Sequence, residues 1–146
     1  MTFFLIQCDA TGNPVTPIES MSEAISENCI ASAELYKRVG FQMPWVSYVA
    51  INDNIAVGGG AFVGAPRDGV VEIAYFTLPE YEGRGFAYST ATQLCQIART
   101  TLPDVILSAF TLPELNASSR ILAKLGFSQF GTAHDEDAGE VWEWRA

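Results

Sequence analysis

The sequence predicts one α/β domain of the α+β kind: a mixed, mostly antiparallel central sheet of six to seven strands with helices on both faces. Three observations lead there. Strand-like and helical stretches follow the order β-α-β-β-β-α-β-α-β-β. A strand–helix–strand unit at residues 70–77, 87–100 and 105–110 suits one parallel pair inside an otherwise antiparallel sheet. The 146 residues, 49% hydrophobic and 17% charged, can build a substantial core in a single domain over residues 1–146, with no repeat, low-complexity tract or linker.

Residues 3–8 form the first predicted strand. The apolar run before Gln7 carries no basic leader, so it fits a strand better than a signal peptide, and no apolar stretch approaches membrane-spanning length. Gly12, Pro14 and Pro17 mark a loop. Ser20 or Ser22 can cap a helix that extends to about Arg38, on which Met21, Ile25, Cys29, Leu35, Tyr36 and Val39 roughly keep helical spacing. A break near Ile30 is compatible with this pattern, and Gly40 is a natural stop.

Residues 45–51 and 55–63 are strand-like runs joined by Asn52-Asp53-Asn54, which favours a tight hairpin. Residues 70–77 follow another turn, Ala65-Pro66-Arg67-Asp68-Gly69. A helix is expected over residues 86–100 and a short strand over 105–110, with Pro103 and Pro113 as punctuation. Asn116 can cap a helix through about Leu125, and Gly126 ends it. Residues 127–130 and 140–145 close the sheet as a strand pair.

Eight Lys and Arg against seventeen Asp and Glu give a net charge of −9. Such a surface repels nucleic acid and anionic membrane and attracts cationic partners. Cys8, Cys29 and Cys95 are widely spaced with no Cys-x-x-Cys pair, as expected of reduced thiols in a cytoplasmic protein. The only histidine, His134, precedes the acidic run Asp135-Glu136-Asp137, where a solvated loop is expected.

The chemistry concentrates in residues 72–87, where a strand runs through a short loop into Glu82-Gly83-Arg84-Gly85 and straight onto a helix. Glycines let the main chain come close to a ligand, and the free N–H groups of a first helical turn, with the helix dipole, attract negative charge. Other glycine motifs fail. Gly58-Gly59-Gly60 has its next glycine at Gly64, one residue late for G-x-G-x-x-G, and is followed by Pro66, so it suits a bulged or closely approached strand. No G-K-[ST] phosphate loop and no G-x-S-x-G hydrolase elbow occurs.

The residues 82–87 resemble the pyrophosphate motif (Arg/Gln)-x-x-Gly-x-(Gly/Ala) of the GNAT superfamily of acetyl-CoA-dependent N-acetyltransferases. Asn116-Ala117-Ser118-Ser119 followed by Lys124-Leu125-Gly126-Phe127 is similar to the signature of the branch related to ribosomal-protein-alanine N-acetyltransferases. The likeness spans Trp45 to Arg145. It departs at Glu82, which stands where the family prefers Arg or Gln.

The resemblance implies acetyl-CoA as cosubstrate, no metal, and direct attack by a primary amine belonging to a small molecule or to a peptide N-terminus. It implies main-chain contacts from Phe76, Thr77 and Leu78 to the pantetheine arm. Gly83, Arg84, Gly85, Phe86, Ala87 and Tyr88 would hold the diphosphate, and Asn116 would meet the cofactor near its arm. Glu72 is the candidate base and Ser119 the candidate donor to the coenzyme sulfur. Trp142 and Trp144, sharing a strand face, suit core or a subunit interface, and a homodimer through the final strands is compatible. Tyr36 and Phe41 are candidates for the acceptor side. The alternative is a noncatalytic acyl-CoA-binding or protein-interaction module on the same fold, favoured by Glu82 and by the lack of tyrosine in residues 116–127.

Overall fold

The computed structural model describes residues 2–146. Its strands are β1 (Phe3–Gln7), β2 (Ser47–Asn52), β3 (Ile55–Phe62), β4 (Val70–Thr77), β5 (Ile106–Thr111), β6 (Ser128–Asp135) and β7 (Gly139–Arg145). The helices are α1 (Glu23–Val39), α2 (Phe86–Thr101) and α3 (Ala117–Lys124). They occur in the expected order and make one seven-stranded sheet, β1-β2-β3-β4-β5-β7-β6.

Local chemistry explains most boundaries. The Ser22 hydroxyl accepts from Ile25 N–H at the start of α1, and Gly40, at φ +86°, ends the helix by donating to Tyr36 C=O. The helix is unbroken, because Ile30 lies on its solvent face, 66% exposed, and interrupts no buried stripe. Asp53 and Asn54 adopt φ values of +49° and +68°, the left-handed pair that closes a two-residue hairpin between β2 and β3. The register shifts between Ala50 and Ile51, so β3 is bulged beside its glycines. Gly60 has no room for a side chain, since a Cβ there would lie 2.8 Å from both Leu94 and Thr90 of α2.

The last hairpin differs from expectation. β6 extends to Asp135 and contains His134 opposite Glu140, where the sequence suggested a loop. The Asp135 carboxylate accepts from the N–H groups of Asp137 and Ala138, so the acidic run forms the turn itself.

Two clusters cover opposite faces of the sheet. On one, Leu94, Cys95 and Ala98 of α2 meet Val71, Ile73 and Leu107. On the other, Ile25 and Cys29 of α1 meet Ile6, Cys8, Val49 and Ile51. The thiols are buried and unpaired, with Cys8 pushed up to about 12, first by burial and then by Cys29 and Asp9. Trp144 is core, its indole N–H donating to Thr111 Oγ1 at 2.9 Å. No helix among the described residues is long and apolar enough to cross a membrane.

The parallel pairing of β4 with β5 positions the site. It joins only Val70–Glu72 to Ile106–Ser108. Beyond that, β4 stays paired to β3 as far as Thr77, while β5 pairs with β7 from Ser108 onward. The sheet therefore splits from Glu72 and Ser108 outward. In the split part of β4, alternate residues turn their main-chain N–H and C=O toward the gap without a strand partner.

Candidate functional site

A cleft of about 620 Å³ opens along this split. Its floor is Tyr75, Phe76 and Thr77 of β4. One wall is the turn and first residues of α2, with Tyr81, Glu82, Gly83, Gly85, Phe86, Ala87 and Tyr88. The facing wall is α3, with Ala117, Ser118, Arg120, Ile121 and Lys124.

The start of α2 is built by backbone conformation. Gly83 and Gly85 sit at φ +80° and +83°, a region costly for other L-residues. Gly85 is the N-cap, and no side chain caps this end. An apolar anchor fixes it instead: the Phe86 ring is buried and stacks on Phe3 at 5.9 Å with an interplanar angle of 8°. The first-turn N–H groups thus border the cleft with no side-chain acceptor, where an anion can bind them. Thr77 Oγ1 is likewise buried without a partner. An elongated ligand with hydrogen-bonding amides and an anionic centre fits these features.

Seven of the expected cofactor residues line the cleft: Phe76, Thr77, Gly83, Gly85, Phe86, Ala87 and Tyr88. Three do not. Leu78 is buried in the α1-side core, and Asn116 lies at the start of α3. Arg84 is exposed, its guanidinium carbon 5.8 Å from the Tyr81 ring centre. Tyr36 is buried, with its hydroxyl oxygen accepting from Ser47 N–H at 3.0 Å, and it packs against Phe41; neither lines the cleft.

Ser119 is 2% exposed and its hydroxyl is already engaged. It accepts from Asn116 N–H at 2.8 Å and donates to Asn116 C=O at 2.9 Å, while Asn116 Oδ1 accepts from Ser119 N–H at 2.9 Å. This reciprocal cap closes the start of α3. A donation from Ser119 to a ligand would require its one hydrogen to leave the cap.

Glu72 lies at the closed end of the split, in register with Ser108, on the face shared by Val70, Ala74 and Phe76. Burial raises its pKa, and the carboxylates of Glu143 and Asp135 raise it further. Arg145 serves Glu143 rather than Glu72, with Nε 2.6 Å from Glu143 Oε2, which also accepts from Ser108 Oγ at 3.2 Å. Tyr75, across the strand, is also raised by burial, and its hydroxyl donates to Ser118 C=O at 3.4 Å.

Sequence reasoning passed over Tyr75, Tyr81, Arg120 and Ile121 and used Lys124 only as part of a signature. The signal was present: Ala117, Arg120, Ile121 and Lys124 are spaced to share one helix face. Among the described residues, no group of three or more His, Cys, Asp or Glu is placed to hold a metal ion.

A family model for the acetyltransferase (GNAT) domain matches residues 12–128. No curated protein matches the chain in sequence. Among solved structures, the ribosomal-protein-S5-alanine acetyltransferase from Vibrio fischeri is 18% identical with a TM-score of 0.64, over 89% of this chain and 78% of that one. A ribosomal L7/L12 alpha-N-protein acetyltransferase in complex with coenzyme A is 15% identical with a TM-score of 0.65, over 86% and 73%. The putative acetyltransferase yncA from Salmonella typhimurium, with its cofactor acetyl-CoA, is 15% identical with a TM-score of 0.65, over 100% and 94%. These likenesses establish the fold, and the family model, which spans most of the chain, establishes the family. With its helix start open to an anion and its sheet split along a cleft, the chain belongs to the acetyltransferase (GNAT) family of acetyl-CoA-dependent N-acetyltransferases.

Proposed function

We propose that this protein transfers the acetyl group of acetyl-CoA to a primary amine, either a protein N-terminus or a small cationic amine, with Glu72 as the base. The observation that carries this reading is an uncapped helix start beside an unpaired strand edge in one cleft, with the desolvated carboxylate of Glu72 further back on the same strand, at the closed end of the split and outside the cleft lining. Gly83, Gly85, Phe86, Ala87 and Tyr88 hold the diphosphate through main-chain N–H groups, with Arg84 beside the turn. Phe76 and Thr77 pair with the pantetheine amides, and Leu78 and Asn116 keep strand and helix in place. The net charge of −9 favours encounter with a protonated amine. Three unpaired buried thiols suit a reducing compartment such as the cytoplasm.

In this scheme the ammonium of the acceptor gives a proton to Glu72, directly or through water. The amine lone pair attacks the thioester carbonyl carbon to give a tetrahedral adduct. As it collapses the C–S bond breaks, the adduct nitrogen gives up its second proton, and the departing thiolate takes that proton up, directly or through water. Ser119 shapes this end of the cleft by closing α3, and protonates the sulfur only if its bond to Asn116 C=O opens. The likeness to ribosomal-protein acetyltransferases supports a peptide N-terminus as acceptor, and the −9 charge suits a polyamine equally.

Release of free thiol from acetyl-CoA, measured across small amines and basic peptides, tests the activity. An enzyme releases thiol only with its acceptor, whereas a noncatalytic module binds coenzyme and releases none. Glu72→Gln should lower kcat about 100-fold at neutral pH. The deficit should shrink at high pH, where the amine is already deprotonated, and a deficit constant across pH would remove Glu72 from the mechanism. The same variant has a stability signature. Because the folded-state pKa is raised, the stabilising contribution of protonated Glu72 is complete below the ordinary value of 4.5 and is lost as pH rises through the raised value. Glu72→Gln should therefore melt above wild type at pH 7 and no higher than wild type at pH 4.

A further inference from the structure

We propose that Arg120 and Lys124 of α3 supply the positive charge for the phosphate groups of the coenzyme, replacing from across the cleft the cation that Glu82 displaces from the glycine turn. This rests on the reading that the coenzyme occupies the cleft. The chain has only eight Lys and Arg residues against seventeen Asp and Glu. Two of the eight, Lys37 and Arg145, are held in ion pairs. Arg120 and Lys124 both line the cleft, one helical turn apart, and neither has a carboxylate within 4.0 Å among the described residues. Glu82 lines the facing wall.

The position of Lys124 is the sharper observation. Its Nζ lies 4.3 Å from the centre of the Tyr88 ring, and Tyr88 belongs to the first turn of α2. The cation–π contact with Tyr88 holds the ammonium at the cleft beside the open start of α2, where an anion would be attracted by both. Lys124 also stands in the last turn of its own helix, where a cation is favourable, but Arg120, in the middle of α3, has no such reason to be there. The helix start and the two side chains thus converge on one anionic ligand from opposite walls. The shared chemistry is a phosphate ester, and either the diphosphate or the 3′-phosphate of the coenzyme supplies it.

Both side chains are exposed, so the double variant Arg120→Gln/Lys124→Gln should fold. Calorimetry with coenzyme A should show affinity lower by roughly 10- to 100-fold and a shallower dependence on salt. The loss for a phosphate-free acetyl-pantetheine thioester, read as KM, should be at least tenfold smaller. If the deficit persists with 3′-dephospho-coenzyme A, the diphosphate is the partner; if it disappears, the 3′-phosphate is. Either outcome supports the proposal. Unchanged coenzyme affinity, or an equal loss for the phosphate-free thioester, overturns it. Wild-type protein that binds no coenzyme overturns the reading of the cleft as well. Glu82→Gln should tighten coenzyme binding severalfold, and no change there would mean that Glu82 does not oppose the two cations.

Discussion

The starts of α2 and α3 face one another across a single cleft, and they treat the same physical problem in opposite ways. Each helix begins with N–H groups that have no intrahelical acceptor. α3 satisfies one of its own, the Ser119 N–H, through the reciprocal box with Asn116, and α1 satisfies the Ile25 N–H with Ser22. α2 begins at a glycine in the left-handed region, has no side-chain cap, and is held by the buried ring of Phe86. The difference separates two motifs that look alike as sequence signatures. The glycine turn leaves its first N–H groups without any side-chain acceptor, whereas the Asn-x-x-Ser box uses the Ser119 N–H and hydroxyl within the protein.

The largest expected effect comes from closing the open end. Gly85→Glu should reduce coenzyme affinity by about 100-fold or more, by straining a positive φ and placing a carboxylate against the proposed diphosphate position. Helical circular dichroism should persist, since a Cβ at Gly85 meets nothing within 4 Å. Retained affinity would mean that the α2 start is only structural.

Opening the closed end is the converse test. Ser119→Ala removes the acceptor for Asn116 N–H and should cost about 1–2 kcal/mol, lowering Tm by roughly 2–6 °C. If the hydroxyl serves only the cap, kcat should fall less than about tenfold, by the same factor for thioesters of more acidic thiols. Rescue by a better leaving group would instead make Ser119 the donor to the sulfur.

The smallest effect sharpens the contrast through a third helix. Ser22→Ala removes an ordinary cap remote from the cleft and should cost about 0.5–1 kcal/mol, with coenzyme affinity unchanged. A change in affinity would show that cap loss disturbs the cleft nonspecifically, and the Ser119 result would then need the same discount.

The order of strands and helices was legible in the sequence because turn chemistry marked it. Asp53 and Asn54, Gly40, Pro103 and Asn116 each act on the backbone within a few residues. β6 was read too short because it carries little alternation: most of its residues are exposed, so no buried face imposed a period of two. The Gly83–Ala87 turn could be read for the same reason as the hairpins, since a left-handed φ and a helix start are local properties. Arg120 and Lys124 could not be assigned, although their spacing was visible, because the site they border belongs to another helix and another strand.

The elements, the glycine turn and the side chains able to cap follow from the residue order alone, because short-range backbone sterics and hydrogen bonding set them. What those parts face follows from how the folded chain packs. The divergence of β4 from β5 depends on their pairing to different neighbours. The raised pKa of Glu72 depends on burial and on Glu143 and Asp135 from the last two strands. The approach of Lys124 to Tyr88 depends on how α3 settles beside α2. Each arises between segments far apart in the chain, where packing and long-range electrostatics, rather than local conformational preference, select the arrangement.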